Sequence, residues 1–218
     1  MQESSQGAGR AALRRVPKQE RSRERIGEIL KVAKELIGQK GIDAVTMKEI
    51  AALSGGPIAS VYQYFPNKSA IIAMLHEVYV EEVRELIAGH LTRIETADDA
   101  LRATHDLFDI YYERMRQEPS TQDLLNAVQA DKALADLDIA ETRLQAEVFF
   151  QMTSHFVAEP LRESYAQTLF VMFHMAGATL RLALMLPDEA AQISARFKAI
   201  VRTHATYFLK GHFPESVA

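Results

Sequence analysis

The sequence predicts an all-α chain of about nine helices, a small N-terminal three-helix unit followed by a larger helical body. Three observations carry this. Apolar residues recur at three- and four-residue steps almost throughout. No run of alternating apolar and polar residues repeats at the 8–12-residue cadence of short strands. The breaks between periodic segments are marked by Gly, Pro and residues that cap helices. With 218 residues, 48% apolar and 25% charged, the chain has ordinary globular composition and enough apolar mass for a sizeable core.

The elements follow in order. Ile26, Ile29, Leu30, Ala33, Leu36 and Ile37 form one face of a helix from about Lys18 to Gln39, stopped by Gly41. Thr46-Met47-Lys48-Glu49 is a capping box that opens a short helix ending near Leu53. Ser54-Gly55-Gly56 is turn chemistry, and Pro57 suits the first turn of a third helix. Pro66 ends that helix by Phe65. Asn67 then caps a long fourth helix through Ile71, Leu75, Val78, Glu82 and Leu86. Beyond it, Thr96 opens a helix that ends near Glu118-Pro119, and a short one follows Ser120. Another is expected from about Asp136 to Glu159-Pro160. The last two, 161–186 and 188–210, are separated by Pro187.

Charge divides the chain unevenly. The net is −4, but residues 1–68 carry 12 Lys and Arg against 7 Asp and Glu, and the remainder carries 13 against 22. A basic head on an acidic body suggests that the head alone meets a polyanion. Cysteine is absent, which removes disulfides and thiolate metal sites and fits a reducing cytoplasm. The first seventeen residues hold no signal-peptide apolar run. No segment is expected to span a membrane. Among the seven His none pairs at three- or four-residue spacing. There is no HExxH, GxGxxG, phosphate-binding loop or nucleophile elbow. His105 with Asp106 and Asp109 comes nearest to a metal cluster, and two ligands on one helix face fall short of a site. Neither catalysis, metal nor cofactor is expected.

The segment 46–65 reads as a helix-turn-helix: a short helix, a Gly turn and a second short helix, Pro57 to Tyr64. In that arrangement the first helix rests on the phosphate backbone and the second enters the major groove. Tyr62, Tyr64 and Lys68 supply groups that grip phosphate oxygens. The same residues would also suit a plain helical corner with a surface aromatic pair.

The stretch Thr46–Ile72, TMKEIAALSGGPIASVYQYFPNKSAII, resembles the DNA-binding block of the TetR family of transcriptional regulators. The helix ahead of it has the matching basic-then-apolar layout. The resemblance implies three regions: a disordered basic tail (1–17), a helix-turn-helix DNA-binding domain (18–67), and a ligand-binding and dimerisation domain (68–218). It implies that Thr46 and Lys48 meet backbone phosphate, and that Pro57, Ile58, Ala59, Ser60 and Gln63 lie on the recognition helix. It assigns Tyr62 and Lys68 to a phosphate clamp beside Tyr64. Arg10, Arg14 and Arg15 in the tail could enter a minor groove. One departure stands out: Gly55-Gly56-Pro57 lacks the small apolar anchor expected at 56 and the hydroxyl cap expected at 57. Restoring both as Gly56→Val with Pro57→Ser is expected to stabilise the head by about 1 kcal/mol.

In the body, His105, Phe108, Tyr112 and Met115 share one helix face. Phe149, Met152 and Phe156 share another, and Met172, Phe173 and Met175 lie on a third. The resemblance implies an effector site between these helices, with His105, Phe108, Tyr112, Phe149, Met152, Phe156, Met172 and Phe173 as its candidate residues. Met and aromatic walls suit a small apolar or aromatic ligand, and their low charge argues against an ionic one. The nearly uncharged stretch 165–185 predicts a helix buried on both sides. Helices 161–186 and 188–210 are therefore expected to pair with their two-fold mates. The faces expected to do so are Phe170, Phe173, Gly177, Leu180 and Leu184 on the first helix. On the second they are Ile193, Phe197, Ile200, Val201, His204 and Phe208. The implied function is a cytoplasmic homodimeric repressor on a palindromic DNA operator, released by the effector. The alternative is a helical ligand-binding protein whose head no longer reads DNA.

Overall fold

A computed structural model describes residues 18–91 and 94–211. The expected basic tail, with Arg10, Arg14 and Arg15, lies outside the described residues. Those residues form nine α-helices and no strand. They are α1 (Lys18–Ala44), α2 (Met47–Leu53), α3 (Ile58–Tyr62), α4 (Lys68–Leu91), α5 (Ala97–Gln117), α6 (Pro119–Ala130), α7 (Lys132–Thr153), α8 (Arg162–Met185) and α9 (Ala190–Lys210). α1 breaks at Gly41, which has φ 73°.

The caps read from sequence form as expected at α2 and α4, where Asn67 Oδ1 accepts from the Ala70 N–H at 2.9 Å. The Thr46 hydroxyl accepts from the Glu49 backbone N–H, while the Glu49 carboxylate accepts from the Thr46 N–H. Thr96 and Asp99 repeat the device at α5. α7 departs from the sequence expectation at both ends. It starts at Lys132 because the Asp131 carboxylate accepts from the N–H groups of Ala133 and Leu134, a local cap worth about 1 kcal/mol. It stops at Thr153, where a 3₁₀ turn, Ser154–Phe156, takes over. The Thr153 hydroxyl turns back onto the Phe149 carbonyl at 2.7 Å.

The head is not closed by its own three helices. Ile29, Ala33 and Ile37 of α1, Ile50 of α2, Val61 of α3 and Ile71 of α4 form a buried cluster that also takes in Leu124, Ala127 and Val128 of α6. Each fully buried side chain of this kind contributes roughly 1.5–3 kcal/mol, so α6 is part of the head's foundation. The α1–α6 approach is tight: a Cβ on Gly38 would stand 2.8 Å from Ser120 Cβ. Lys34 Nζ meets Glu118 Oε1 at 2.6 Å beside it.

The body gathers α4, α5, α7, α8 and α9 around Phe149, Tyr165, Leu169 and Phe208. A neighbouring cluster holds Phe108, Leu180, Phe197 and Val201. α8 alters two expectations. With the turn before it, Glu159–Met185 is long and apolar enough to cross a membrane by length and composition, which the sequence reading did not expect. Its inner face, Tyr165, Leu169, Leu180 and Ala183, is buried in the bundle.

Part of the stripe expected to meet a partner also turns inward. Phe173, Gly177 and Leu180 of α8 and Phe197 and Val201 of α9 line a cavity within the chain, and Phe208 is buried. On α8 the outward residues are instead Val171, Met175, Ala178, Leu182 and Met185, while Ile200 and His204 of the stripe expected on α9 do face outward. The stripe shifts because both faces of α8 are apolar, so periodicity fits either choice of inner face.

Candidate DNA-reading surface and ligand cavity

Two places in this fold gather chemistry. In the head, α3 begins at Pro57, whose backbone is extended and whose side chain gives no cap hydrogen bond. The α2–α3 turn is fastened from α1 instead. Arg25 Nη1 donates to the Ser54 carbonyl, and Nη2 donates to Ser54 Oγ at 3.2 Å and to Ser60 Oγ at 3.0 Å. Glu28 steadies the same guanidinium at 3.3 Å. A Cβ built on Gly56 would stand 2.8 Å from Arg25 Nη2. Glycine at 56 therefore makes room for the arginine that ties down the recognition helix. A valine there would meet this guanidinium, the movable end of a side chain that makes four hydrogen bonds, which tells against the expectation that valine stabilises the turn.

The predicted DNA residues divide into two groups. Lys48, Pro57, Ile58, Ala59, Tyr62 and Gln63 are exposed on the head, with Ile58 and Tyr62 41% and 48% accessible despite their apolar rings and chains. The others are exposed or half-buried but already engaged. Thr46 is held in its capping box, and Ser60 accepts from Arg25. The Tyr64 hydroxyl donates to Ser22 at 3.4 Å. Lys68 Nζ donates to the carbonyls of Ile42 and Val45, at 2.6 and 3.2 Å. Two of its three donors thus close the chain reversal between α1 and α2. Glu49 carries a related tie: the Lys40 ammonium, followed by the Thr46 hydroxyl, lowers its carboxyl to about 2. Sequence reasoning missed Arg25, since nothing local links a residue of α1 to a turn twenty-nine positions later.

The second place is a cavity of about 150 Å³ bounded by α4–α9. Four of the eight residues predicted for a ligand site, Phe108, Phe149, Met172 and Phe173, line it. The other four do not. Met152 is exposed on the outer side of α7. Phe156 packs against His155 beyond the end of α7. Tyr112 packs at the edge of the cluster around Phe108. His105 is half-buried with a buried Nε2 that has no partner. Burial first, and then the charges of Lys198 and Arg202, lower its pKa from the ordinary 6.5. In each case the residue sits one helical step or more from the inward face that periodicity alone assigned to it.

The polar part of the cavity went unnoticed in the sequence. α7 presents Asp138, Glu141, Thr142 and Gln145 at three- and four-residue steps along one wall. The two acids are tied to α4 and α6. Arg84 holds Glu141 through both carboxylate oxygens, at 2.8 and 2.5 Å. Asp138 meets His76 Nε2 at 3.1 Å and accepts from Gln129 at 2.8 Å. Tyr79 and Tyr111 face the same space edge to face, with ring centroids 6.4 Å apart. Burial pushes the Tyr79 phenol up to about 12 and raises that of Tyr111 well above its usual range, so both stay protonated donors. The pattern was legible only as a polar helix face, whose ordinary place is solvent.

Family models match both regions of the chain. A sequence model described as bacterial regulatory proteins of the tetR family matches residues 29–75. A second, described as a tetracyclin repressor-like C-terminal domain, matches residues 96–204. A TetR-family transcriptional regulator from Streptomyces coelicolor superimposes with TM-score 0.65 at 21% identity, over 85% of this chain and 99% of that one. One from Syntrophomonas wolfei str. Goettingen gives 0.65 at 15% identity, over 84% and 96%. A complex of SmeT with triclosan gives 0.65 at 12% identity, over 89% and 94%. At these identities the likenesses establish the fold. A comparison with curated proteins finds no match.

Proposed function

The chain belongs to the TetR family of bacterial regulators, and we propose that it is a cytoplasmic homodimeric repressor, bound to a palindromic DNA operator and released when a small effector fills the body cavity. The observation that carries this reading is the surface of α3. Ile58, Ala59, Tyr62 and Gln63 stand outward together on a helix whose leading turn is fastened by Arg25. Apolar side chains left exposed on a helix of that placement suit thymine methyl groups, and Gln63 suits adenine. Lys48 and Tyr62 flank them as groups for phosphate oxygens.

Release requires that the effector favour the conformation that fits DNA poorly. Two helices provide a physical route. α6 puts Leu125 into the cavity wall and Leu124, Ala127 and Val128 into the head's core. α4 begins beneath α3 and reaches the cavity with Tyr79, Val80 and Ile87. Swelling the cavity therefore presses on elements that carry the recognition helix. A neighbour of the same fold is found with triclosan, which supports a small organic molecule as effector.

The uncapped start of α3 favours one rival reading, a ligand-binding protein with a degenerate head. Binding of the full chain to duplexes from the region upstream of its own coding sequence separates the two. A repressor prefers one such duplex over a scrambled control by on the order of 10³-fold or more, and its affinity falls steeply with salt. Equal, weak binding to both duplexes supports the degenerate head.

A further inference from the structure

The cavity holds one charge without a partner. Arg181 is the lone charged residue of segment 165–185, it lines the cavity, and among the described residues its guanidinium has neither a hydrogen bond nor an ion pair. It lies one turn beyond Gly177, where a Cβ would stand 3.8 Å from Nη1, so the guanidinium runs back along the small-residue side of α8 that faces the cavity. Its charge also reaches the buried Tyr79 phenol. The acids on the facing wall are in the opposite condition. Glu141 is matched by Arg84 through both oxygens, and Asp138 already accepts from two elements.

We propose that the effector is a small hydrophobic acid whose ring sits against Phe108, Phe149 and Phe173 and whose carboxylate pairs with Arg181. The proposal rests on the reading of this cavity as the effector site. A guanidinium presents a planar fork that matches a carboxylate through two parallel hydrogen bonds. Half-buried beside the aromatic walls of the cavity, it gains more from such a partner than an exposed arginine does. Of the cavity acids, Glu141 is neutralised by Arg84, and Asp138 is held by hydrogen bonds from His76 and Gln129 but keeps a charge felt at Tyr79, so the anion is placed at the Arg181 guanidinium. A cationic ligand would have to take Glu141 from Arg84 or Asp138 from His76. Size limits the rest of the molecule, since an apolar cavity of about 150 Å³ holds one benzene-sized ring. This reverses the expectation from sequence that low charge on the aromatic faces disfavours an ionic effector. Arg181 shares α8 with Phe173, within the stretch that reads as nearly uncharged.

The test uses the full chain and three probes that share one ring and differ in charge: benzoate, benzyl alcohol and benzylamine. Calorimetric titration is expected to give benzoate the tightest binding, by on the order of tenfold over benzyl alcohol, and benzylamine the weakest. Arg181→Gln is expected to abolish the advantage of benzoate over benzyl alcohol, and Arg181→Lys to keep part of it, with thermal melting checking that both variants fold. Benzylamine binding tightest, or benzoate binding unchanged in Arg181→Gln, overturns the acid assignment and leaves the cavity reading standing. If Gly177→Leu, which fills the cavity beside Arg181, leaves benzoate binding as tight as in the unaltered chain, the ligand sits elsewhere and the cavity reading itself fails. Binding of none of the three probes overturns the proposal as well.

Discussion

The head and the body are held together in different ways. In the head, the two short helices α2 and α3 sit on a shared apolar cluster and are fastened by polar ties across sequence: Arg25 to Ser54 and Ser60, Lys68 to Ile42 and Val45, Lys40 to Glu49. In the body, long helices pack through aromatic rings but leave a cavity at their centre and an apolar seam on their outside. The contrast indicates where each region is rigid and where it is incomplete. The head needs its donors and acceptors left in place, while the body is completed by something added to it.

The largest effect is expected where the body is most incomplete. Val171, Met175, Ala178, Leu182 and Met185 advance by alternating steps of four and three along α8, the spacing of a packed helical seam, and Met185 is 68% exposed. Replacing Met175 and Leu182 by Glu is expected to give monomers in sedimentation at tens of micromolar and to weaken operator binding by on the order of 100-fold or more, since half-sites are then bound singly. Gly177, which faces the cavity, is not the residue to change. A dimer that survives the double change places the partner elsewhere.

Next comes the clamp in the head. Gly56→Val is expected to lower stability by about 1–2 kcal/mol in denaturant unfolding, because the new side chain evicts Arg25. In an Arg25→Ala background the same change is expected to cost little. That non-additivity is the signature of a shared contact. Equal costs in both backgrounds would show that the turn, and not the arginine, requires glycine.

Lys68→Ala should cost about 1.5 kcal/mol of stability for its two carbonyl contacts, while the salt slope of DNA binding stays as in the unaltered chain. Lys48→Ala should do the reverse, leaving stability alone and reducing the slope by about one. The exchange of these two outcomes would return Lys68 to the phosphate clamp that the family resemblance implies.

Acid is expected to touch the body before the head. His105 titrates below its ordinary 6.5 in the fold, so its folded form favours the neutral ring. The stability this contributes is complete above pH 6.5 and is lost as pH falls through the lowered value. Glu49 is lowered from 4.5 to about 2, so the head's capping contribution persists down to pH 4.5 and fades between there and about 2. Hydrogen exchange followed at decreasing pH should show α5 and α9 opening first and α2 last. Simultaneous loss would mean that these groups do not govern the two regions separately.

The head was the more legible of the two regions because its signals are local. A capping box, a Gly turn and Pro at both ends of α3 are read within a few residues, and the family's motif lies over them. Gly56 reads as a missing anchor in sequence because its neighbour in space, Arg25, is thirty-one positions away. The body's helices were placed from breaks such as Thr96, Pro119 and Pro187, but the inward face of α8 was not, since Phe173 and Val171 are equally apolar and only packing tells them apart. Asp138 and Glu141 read as a solvated face and became a cavity wall through partners on α4 that no spacing reveals.

On the proposed reading, one chain carries half of a DNA-reading surface and needs its two-fold mate to complete it. The direct measurement is the mass, by sedimentation equilibrium, of the complex on a palindromic operator and on a duplex with one half-site. Two chains are expected on the palindrome, bound far more tightly than anything on the half-site. A single chain bound with equal affinity to both duplexes would contradict it.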